Sequence, residues 1–277
     1  MNGTLYVVAT PLGNLGDLAP RAAEALRQVS VIAAEDTRRT RGLLSHLGAS
    51  TTLLSFHAHS GEHRLETLLE ILGNGRDVAL VTDAGTPGVS DPGADLVAAA
   101  RAAGFTVVPI PGPSAVATAL SAAGMPADRY LFLGFVPRKG AERTRLVARA
   151  AAEEWSVVLF EAPPRLAALL RDLAAAAGPG RRAMVARELT KLHEELRAGT
   201  LAELADYYSE TAPRGELTIV MEGTGTPAPA PDRTTDATEE ATALLAEGLS
   251  RREVARRLTE TLGMPRNDAY RLVMGLP

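Results

Sequence analysis

Two carboxylates set among glycines and prolines give the segment Thr82-Asp-Ala-Gly-Thr-Pro-Gly-Val-Ser-Asp-Pro-Gly93 an unusual chemistry for a loop. Its three glycines allow close approach to backbone donors and acceptors. Asp83 and Asp91 would repel a phosphate and attract an ammonium or a sulfonium. The loop follows an apolar run, and open α/β sheets bind ligands beyond the carboxyl ends of their strands. S-adenosylmethionine, a sulfonium, suits such a loop better than ATP or NAD. An earlier loop, Ala9-Thr-Pro-Leu-Gly-Asn-Leu-Gly-Asp17, lacks the leading glycine of a dinucleotide fingerprint and the Gly-Lys-Ser/Thr of a P-loop. Nucleotide hydrolysis therefore drops away.

Groups able to move protons end other apolar runs. Glu35-Asp-Thr-Arg38 and Phe56-His-Ala-His59 would share one rim with Asp83. Farther along, Glu161-Ala-Pro-Pro-Arg165 and Arg187-Glu-Leu-Thr-Lys-Leu-His-Glu-Glu195 pack charges after strands. Ion pairs among Arg187, Glu188, Lys191 and Glu194 would explain the latter as well as a functional cluster would. His57, His59 and His63 do not have a specific zinc spacing and cysteine is absent, so no metal is expected. At neutral pH either an imidazole or a carboxylate can accept a proton. Candidates are Glu35, Asp36, His57, His59 and Asp83, faced by Glu188, Lys191 and Glu194.

Alternating elements must position these groups. Leu5–Thr10, Val31–Glu35, Thr52–Phe56, Val78–Thr82 and Thr106–Ile110 read as strands. Helical periods at Pro20–Val29, Thr37–Leu47, Glu62–Leu72 and Gly93–Ala103 fall between them, closed in two cases by Gly48 and Gly104. This pattern implies an α/β domain over 1–113 with a largely parallel sheet. Pro111-Gly-Pro113 makes a stiff hinge. A second α/β domain, 114–223, carries strands at Tyr130–Phe135, Ser156–Glu161, Ala183–Arg187, Glu195–Arg197 and Leu217–Met221. Its helices lie near Ser114–Ala123, Ala141–Glu153, Arg165–Ala177 and Leu201–Tyr208. Residues 224–235 read as a Pro/Thr/Ala-rich linker, and 236–277 as a basic helical tail. In that tail the capping box Ser250-Arg-Arg-Glu253 opens a helix whose stripe is Val254, Leu258 and Leu262. Gly263 and Pro265 stop it, and Asp268–Met274 forms the last helix.

Bulk properties narrow the class. The 277 residues are 46% hydrophobic but only 4% aromatic, so the core must be aliphatic. No apolar stretch is long enough for a membrane span and the first residues lack a signal-peptide pattern, so a cytoplasmic protein is expected. A net charge of −4 argues weakly against nucleic acid, yet basic residues gather at Arg38–Arg41, Arg138–Arg149 and Arg251–Arg271, which keeps a local RNA track in view.

Taken in order, Val8–Asp17, Glu35–Arg38, Thr82–Gly93, Pro111–Ala115, Gly134–Pro137, Glu161–Arg165, Arg187–Glu195 and Gly215-Glu216 resemble the tetrapyrrole methylases, the class III S-adenosylmethionine-dependent methyltransferases. The similarity covers nearly the whole chain. Corrin- and sirohaem-modifying members usually carry Gly-x-Gly-Pro-Gly-Asp where this chain has Ala9-Thr-Pro-Leu-Gly-Asn14. That departure favours the branch that methylates the ribose 2′-hydroxyl of a decoding-centre cytidine in 16S ribosomal RNA of the 30S subunit. The resemblance implies S-adenosylmethionine in an interdomain cleft lined by Leu12, Asp83, Ala84, Gly85, Thr86, Val89, Ser114 and Ala115. Phe160, Glu161, Leu189 and Gly215 would complete the lining from the second domain. It also implies a homodimer, with neither DNA nor a membrane as partner. For the proton of a ribose hydroxyl, His57 or Asp36 is favoured, with Glu35 beside them and Lys191 opposite. Arg38, Arg39, Arg138, Lys139, Arg252 and Arg256 are expected to meet RNA phosphate. Two rival expectations stand: methylation of a tetrapyrrole or diphthine-like target, and a cofactor-binding ribosome-assembly protein without catalysis.

Overall fold

Short Val, Ile, Leu and Ala runs, too brief to be helices, pair into the first of two sheets. The computed structural model describes residues 2–225, 233–246, 248–262 and 266–276. Strands β1 (Thr4–Val8), β2 (Val31–Ala34), β3 (Thr52–Ser55), β4 (Val78–Val81) and β5 (Thr106–Ile110) lie in the order β3-β2-β4-β1-β5. Every pairing is parallel. β5 carries Pro109, which an edge strand tolerates because one of its N–H rows needs no partner.

Alternate residues of these strands face opposite helical layers. Helices α1 (Pro20–Gln28) and α2 (Thr37–His46) pack with Val8, Ile32, Ala34, Ala79 and Val81. On the other face, α3 (Glu62–Gly73) and α4 (Ala94–Ala102) cover Leu5, Val31, Ala33, Val78 and Leu80. Asp36 caps α2 by accepting the Arg38 N–H at 2.8 Å. Gly48 and Gly104, with φ of 62° and 79°, turn the chain out of α2 and α4.

Residues 114–223 build the second sheet. Its strands are β6 (Tyr130–Phe135), β7 (Ser156–Glu161), β8 (Arg182–Arg187), β9 (Glu195–Thr200) and β10 (Leu217–Met221), in the order β6-β7-β10-β8-β9. Only β6 and β7 are parallel; β10 runs antiparallel between β7 and β8, and β9 pairs antiparallel with β8. β9 extends three residues past the expected Arg197, because Ala198 and Gly199 gain ladder partners in Met184 and Ala183. Helices α6 (Gly140–Ala152), α7 (Leu166–Ala177) and α8 (Leu201–Glu210) bury one face of this sheet. Helix α5 (Ala115–Ala123) covers the other, and Leu12 of the first loop joins that cluster.

Residues 1–223 form one compact unit and 224–277 a second. In the second, α9 (Arg233–Ala246), α10 (Arg251–Leu262) and α11 (Arg266–Gly275) enclose Ala237, Ala241, Val254, Ala255, Leu258, Ala269 and Val273. The Ser250–Glu253 box caps α10 through reciprocal bonds. The expected stop at Gly263 and Pro265, and most of the expected linker, lie outside the described residues. Among the described residues no helix is long and apolar enough to cross a membrane.

Candidate active site

Strand order alone marks where the first sheet can hold a ligand. The chain leaves β1 toward β2 on one side and leaves β4 toward β5 on the other, so the helices following these neighbours lie on opposite faces. A crevice opens at such a switch point. The loops after β1 and β4 meet there, with Thr10 and Gly85 exchanging backbone hydrogen bonds of 2.9 and 3.0 Å. Beside them lies a cavity of about 400 Å³ that residues from both sheets line.

The first half supplies its charges. Glu35, at the end of β2, accepts the Asp83 N–H at 3.2 Å, and Asp83 accepts the Asp36 N–H at 3.0 Å. Arg39 on α2 approaches the other Asp83 oxygen at 3.5 Å. Asp91 completes the cluster. Burial, and then the charges of Glu35, Asp83 and Glu216, push its carboxyl up to about 6. Ser90 sits at φ 62°, and its hydroxyl lies where a Cβ on Gly134, at a bulge of β6, would come within 3.0 Å.

Residues of the second half form the opposite wall. Phe135 and Phe160 meet edge to face at 5.4 Å between ring centres. Glu161, at the end of β7, has a fully buried side chain paired with Arg165, and Arg143 stands 3.8 Å away. One Glu161 oxygen and one Arg165 nitrogen are buried without a hydrogen-bond partner among the described residues. Because β10 is antiparallel to β7, its first residue, Leu217, pairs with Glu161, which brings Gly215 and Glu216 to the same edge. Glu216 and Glu188 hold Lys191 at 3.1 and 2.9 Å. Burial alone would lower the Lys191 ammonium, but these two partners hold it above its ordinary range. Its stem lies against Gly13, where a Cβ would overlap it.

The residues singled out in the sequence divide by position. Leu12, Asp83, Ala84, Gly85, Thr86, Val89, Ser114, Ala115, Phe160, Glu161 and Gly215 line the cavity, as does Glu35. Leu189 instead packs beneath it in the cluster containing Leu12. Asp36 chelates Arg38, whose guanidinium holds the carboxyl well below the usual carboxylate range. His57 follows the edge strand β3, is exposed, and accepts the His59 N–H on its ring at 3.2 Å, away from the cavity lining. Arg39 lines the cavity; Arg138, Lys139, Arg252 and Arg256 are exposed. Sequence reasoning left Phe135, Glu216 and Thr218 out of the lining. Phe135 ends a strand beside a glycine, a usable signal, whereas nothing local announced that β10 would start at this edge. Among the described residues no three His, Asp or Glu side chains gather as metal ligands.

Comparison with known proteins supplies the lineage. Residues 4–205 match the family of Tetrapyrrole (Corrin/Porphyrin) Methylases. The chain is 45% identical to ribosomal RNA small subunit methyltransferase I of a Synechocystis strain, covering 99% of this chain and 98% of that one. Its counterpart in Xylella fastidiosa is also 45% identical, with 97% and 98% covered. The solved uroporphyrin-III C-methyl transferase of Thermus thermophilus, complexed with S-adenyl homocysteine, superimposes with a TM-score of 0.58 at 17% identity, covering 79% of this chain and 97% of that one. By its sequence and its fold together, this chain belongs to the ribosomal RNA small subunit methyltransferase I family of tetrapyrrole methylases.

Proposed function

We propose that this protein transfers the methyl group of S-adenosylmethionine to the ribose 2′-hydroxyl of a decoding-centre cytidine in 16S ribosomal RNA. The observation that carries the chemistry is the cavity at the switch point, which places Glu35, Asp83, Asp91 and Glu216 around one space. Four carboxylates with apolar walls suit a ligand carrying a sulfonium and an ammonium. Ala84, Ala115 and Phe160 offer apolar surface to its rings, and the Glu161 oxygen that receives no hydrogen bond, with Arg143 3.8 Å away, offers an acceptor. The S-adenyl homocysteine bound by the Thermus protein supports the same ligand class. The RNA acceptor rests on the relatives' name and on the altered first loop.

When bound, S-adenosylmethionine supplies an electrophilic methyl group and leaves as S-adenosylhomocysteine. The chain itself must hold the hydroxyl in line and take its proton. Glu35 fits that role, because it lines the cavity and only one of its oxygens receives the Asp83 N–H. Asp36 fits poorly, since Arg38 occupies its carboxylate. Arg39 is suited to RNA phosphate at the mouth. The family resemblance extends the reading to a homodimer working on the 30S subunit in the cytoplasm, with the hinge at 111–113 dividing two domains.

Labelled S-adenosylmethionine, 30S subunits and nuclease mapping test it. Label at one ribose oxygen of 16S RNA is expected; label on a base, or on a corrinoid offered alongside, overturns the acceptor assignment.

A further inference from the structure

A second cavity, of about 280 Å³, adjoins the first and shares Arg39 and Asp83 with it. Pro11 and Leu15 form one side; Thr40, Gly42 and Leu43 of α2 form the other. Two of these residues are ill-suited to a purely structural role. Leu15 is 42% exposed on its 3₁₀ turn, an apolar lip with no core beneath it. Gly42 interrupts α2, where glycine costs about 1 kcal/mol relative to alanine. Nothing lies within 4 Å of a Cβ built on it, so packing does not require glycine there. Gly42 is one of the residues that line the cavity, so a side chain there would border it.

Resting on the function proposed above, we infer that this second cavity receives the acceptor nucleoside, a single pyrimidine ribonucleotide drawn out of its RNA strand. Pro11, Leu15 and Leu43 give the apolar faces that an unstacked base needs. Arg39, with a side chain 60% exposed and Asp83 no nearer than 3.5 Å, has donors to spare for the flanking phosphate. The ribose would lie where the two cavities share Asp83, with its 2′-hydroxyl directed toward Glu35 in the first cavity. A tetrapyrrole macrocycle is far too broad for this slot, so its shape selects nucleotide over corrinoid.

Gly42→Leu tests the assignment, because Gly42 lines this cavity and not the larger one. Titrations use a cytidine-containing ribotrinucleotide and protein saturated with S-adenosylhomocysteine. The variant is expected to melt no lower than the wild type and to keep its S-adenosylhomocysteine affinity while binding the trinucleotide at least ~10-fold more weakly, a change of about 1.4 kcal/mol. Gly42→Ala, a better helix former, should show a smaller loss in the same direction and guards against a folding artefact. Equal trinucleotide affinity in wild type and Gly42→Leu, or no binding to the wild type, overturns the inference. So does methylation of 30S subunits by Gly42→Leu at the wild-type rate, an outcome that leaves the RNA methylase reading intact. Conversely, trinucleotide binding lost in Gly42→Leu with no methyl group reaching RNA from wild type would retain the subsite and reject that reading.

Discussion

The two sheets meet the same cavity in different ways. Parallel strands of the first half all end at one edge, so four loops, after β1, β2, β4 and β5, deliver Leu12, Glu35, Asp83–Asp91 and Ser114 to it. Their carboxylates are partly solvated and lie close together. The mixed sheet of the second half delivers strand ends instead: Phe135, Phe160-Glu161 and the start of β10. Its one carboxylate on β7 is fully buried and ion-paired. Parallel topology thus gathers titratable groups, whereas antiparallel insertion of β10 builds a stiff wall. Chemistry should be sensitive to the first half and stability to the second.

The largest expected effect tests the wall. Glu161→Ala strands Arg165, whereas Arg143 keeps Asp172 at 2.7 Å, and losing one partner of a buried pair costs about 3–5 kcal/mol. Calorimetry should register a melting temperature lower by about 10 °C; a shift under about 3 °C would remove the contrast between the halves. Next in size is Glu35→Gln, where loss of a general base lowers the single-turnover rate about 100-fold or more. Its melting temperature should stay within about 2 °C, since the amide oxygen still receives the Asp83 N–H. His57→Ala, out on the edge strand, should leave that rate within twofold, and the reverse ranking would move the proton acceptor to the imidazole.

The smallest effect concerns Asp91. Its carboxyl is raised from 3.8 to about 6, so it is ionised at pH 7.5 and neutral below pH 5. The charged form opposes folding above pH 6 and favours a cationic ligand. Binding of S-adenosylmethionine relative to neutral-sulfur S-adenosylhomocysteine should therefore weaken as pH falls through 6. Asp91→Asn should abolish that step and lower the preference at pH 7.5 by about 3–10-fold. Solvent screening limits its stability gain to about 2 °C at pH 7.5, and the gain should vanish by pH 4. Parallel pH profiles of variant and wild type would refute the assignment of this titration.

Most strands were legible because β-branched runs ended in glycine, proline or acid; β5, β6, β7 and β10 fall on their expected residues. Sequence gives no spatial order, however, and order decides the site. His57 and Glu35 both follow strands and the sequence favoured His57, yet β3 is the edge strand and β2 adjoins β4. That one difference puts Glu35 in the cavity lining and leaves His57 out of it. Glu216 was singled out with Gly215 but not placed in the lining, because a carboxylate before a strand reaches this edge only when that strand is inverted. Leu189, one residue past Glu188, looked like part of a functional loop, but Glu188 at φ 52° turns the chain and lets the leucine pack inward.

The two hydrogen bonds between Thr10 and Gly85 have a thermodynamic consequence. They make two separate loops into one fastened surface, so the conformational entropy of ordering them is lost when the chain folds and not when a ligand arrives. Ligand binding should then show a small, purely surface-derived heat-capacity change, without the large negative value of coupled folding. Motion needed for product exit must then come from elsewhere on the rim than these fastened residues.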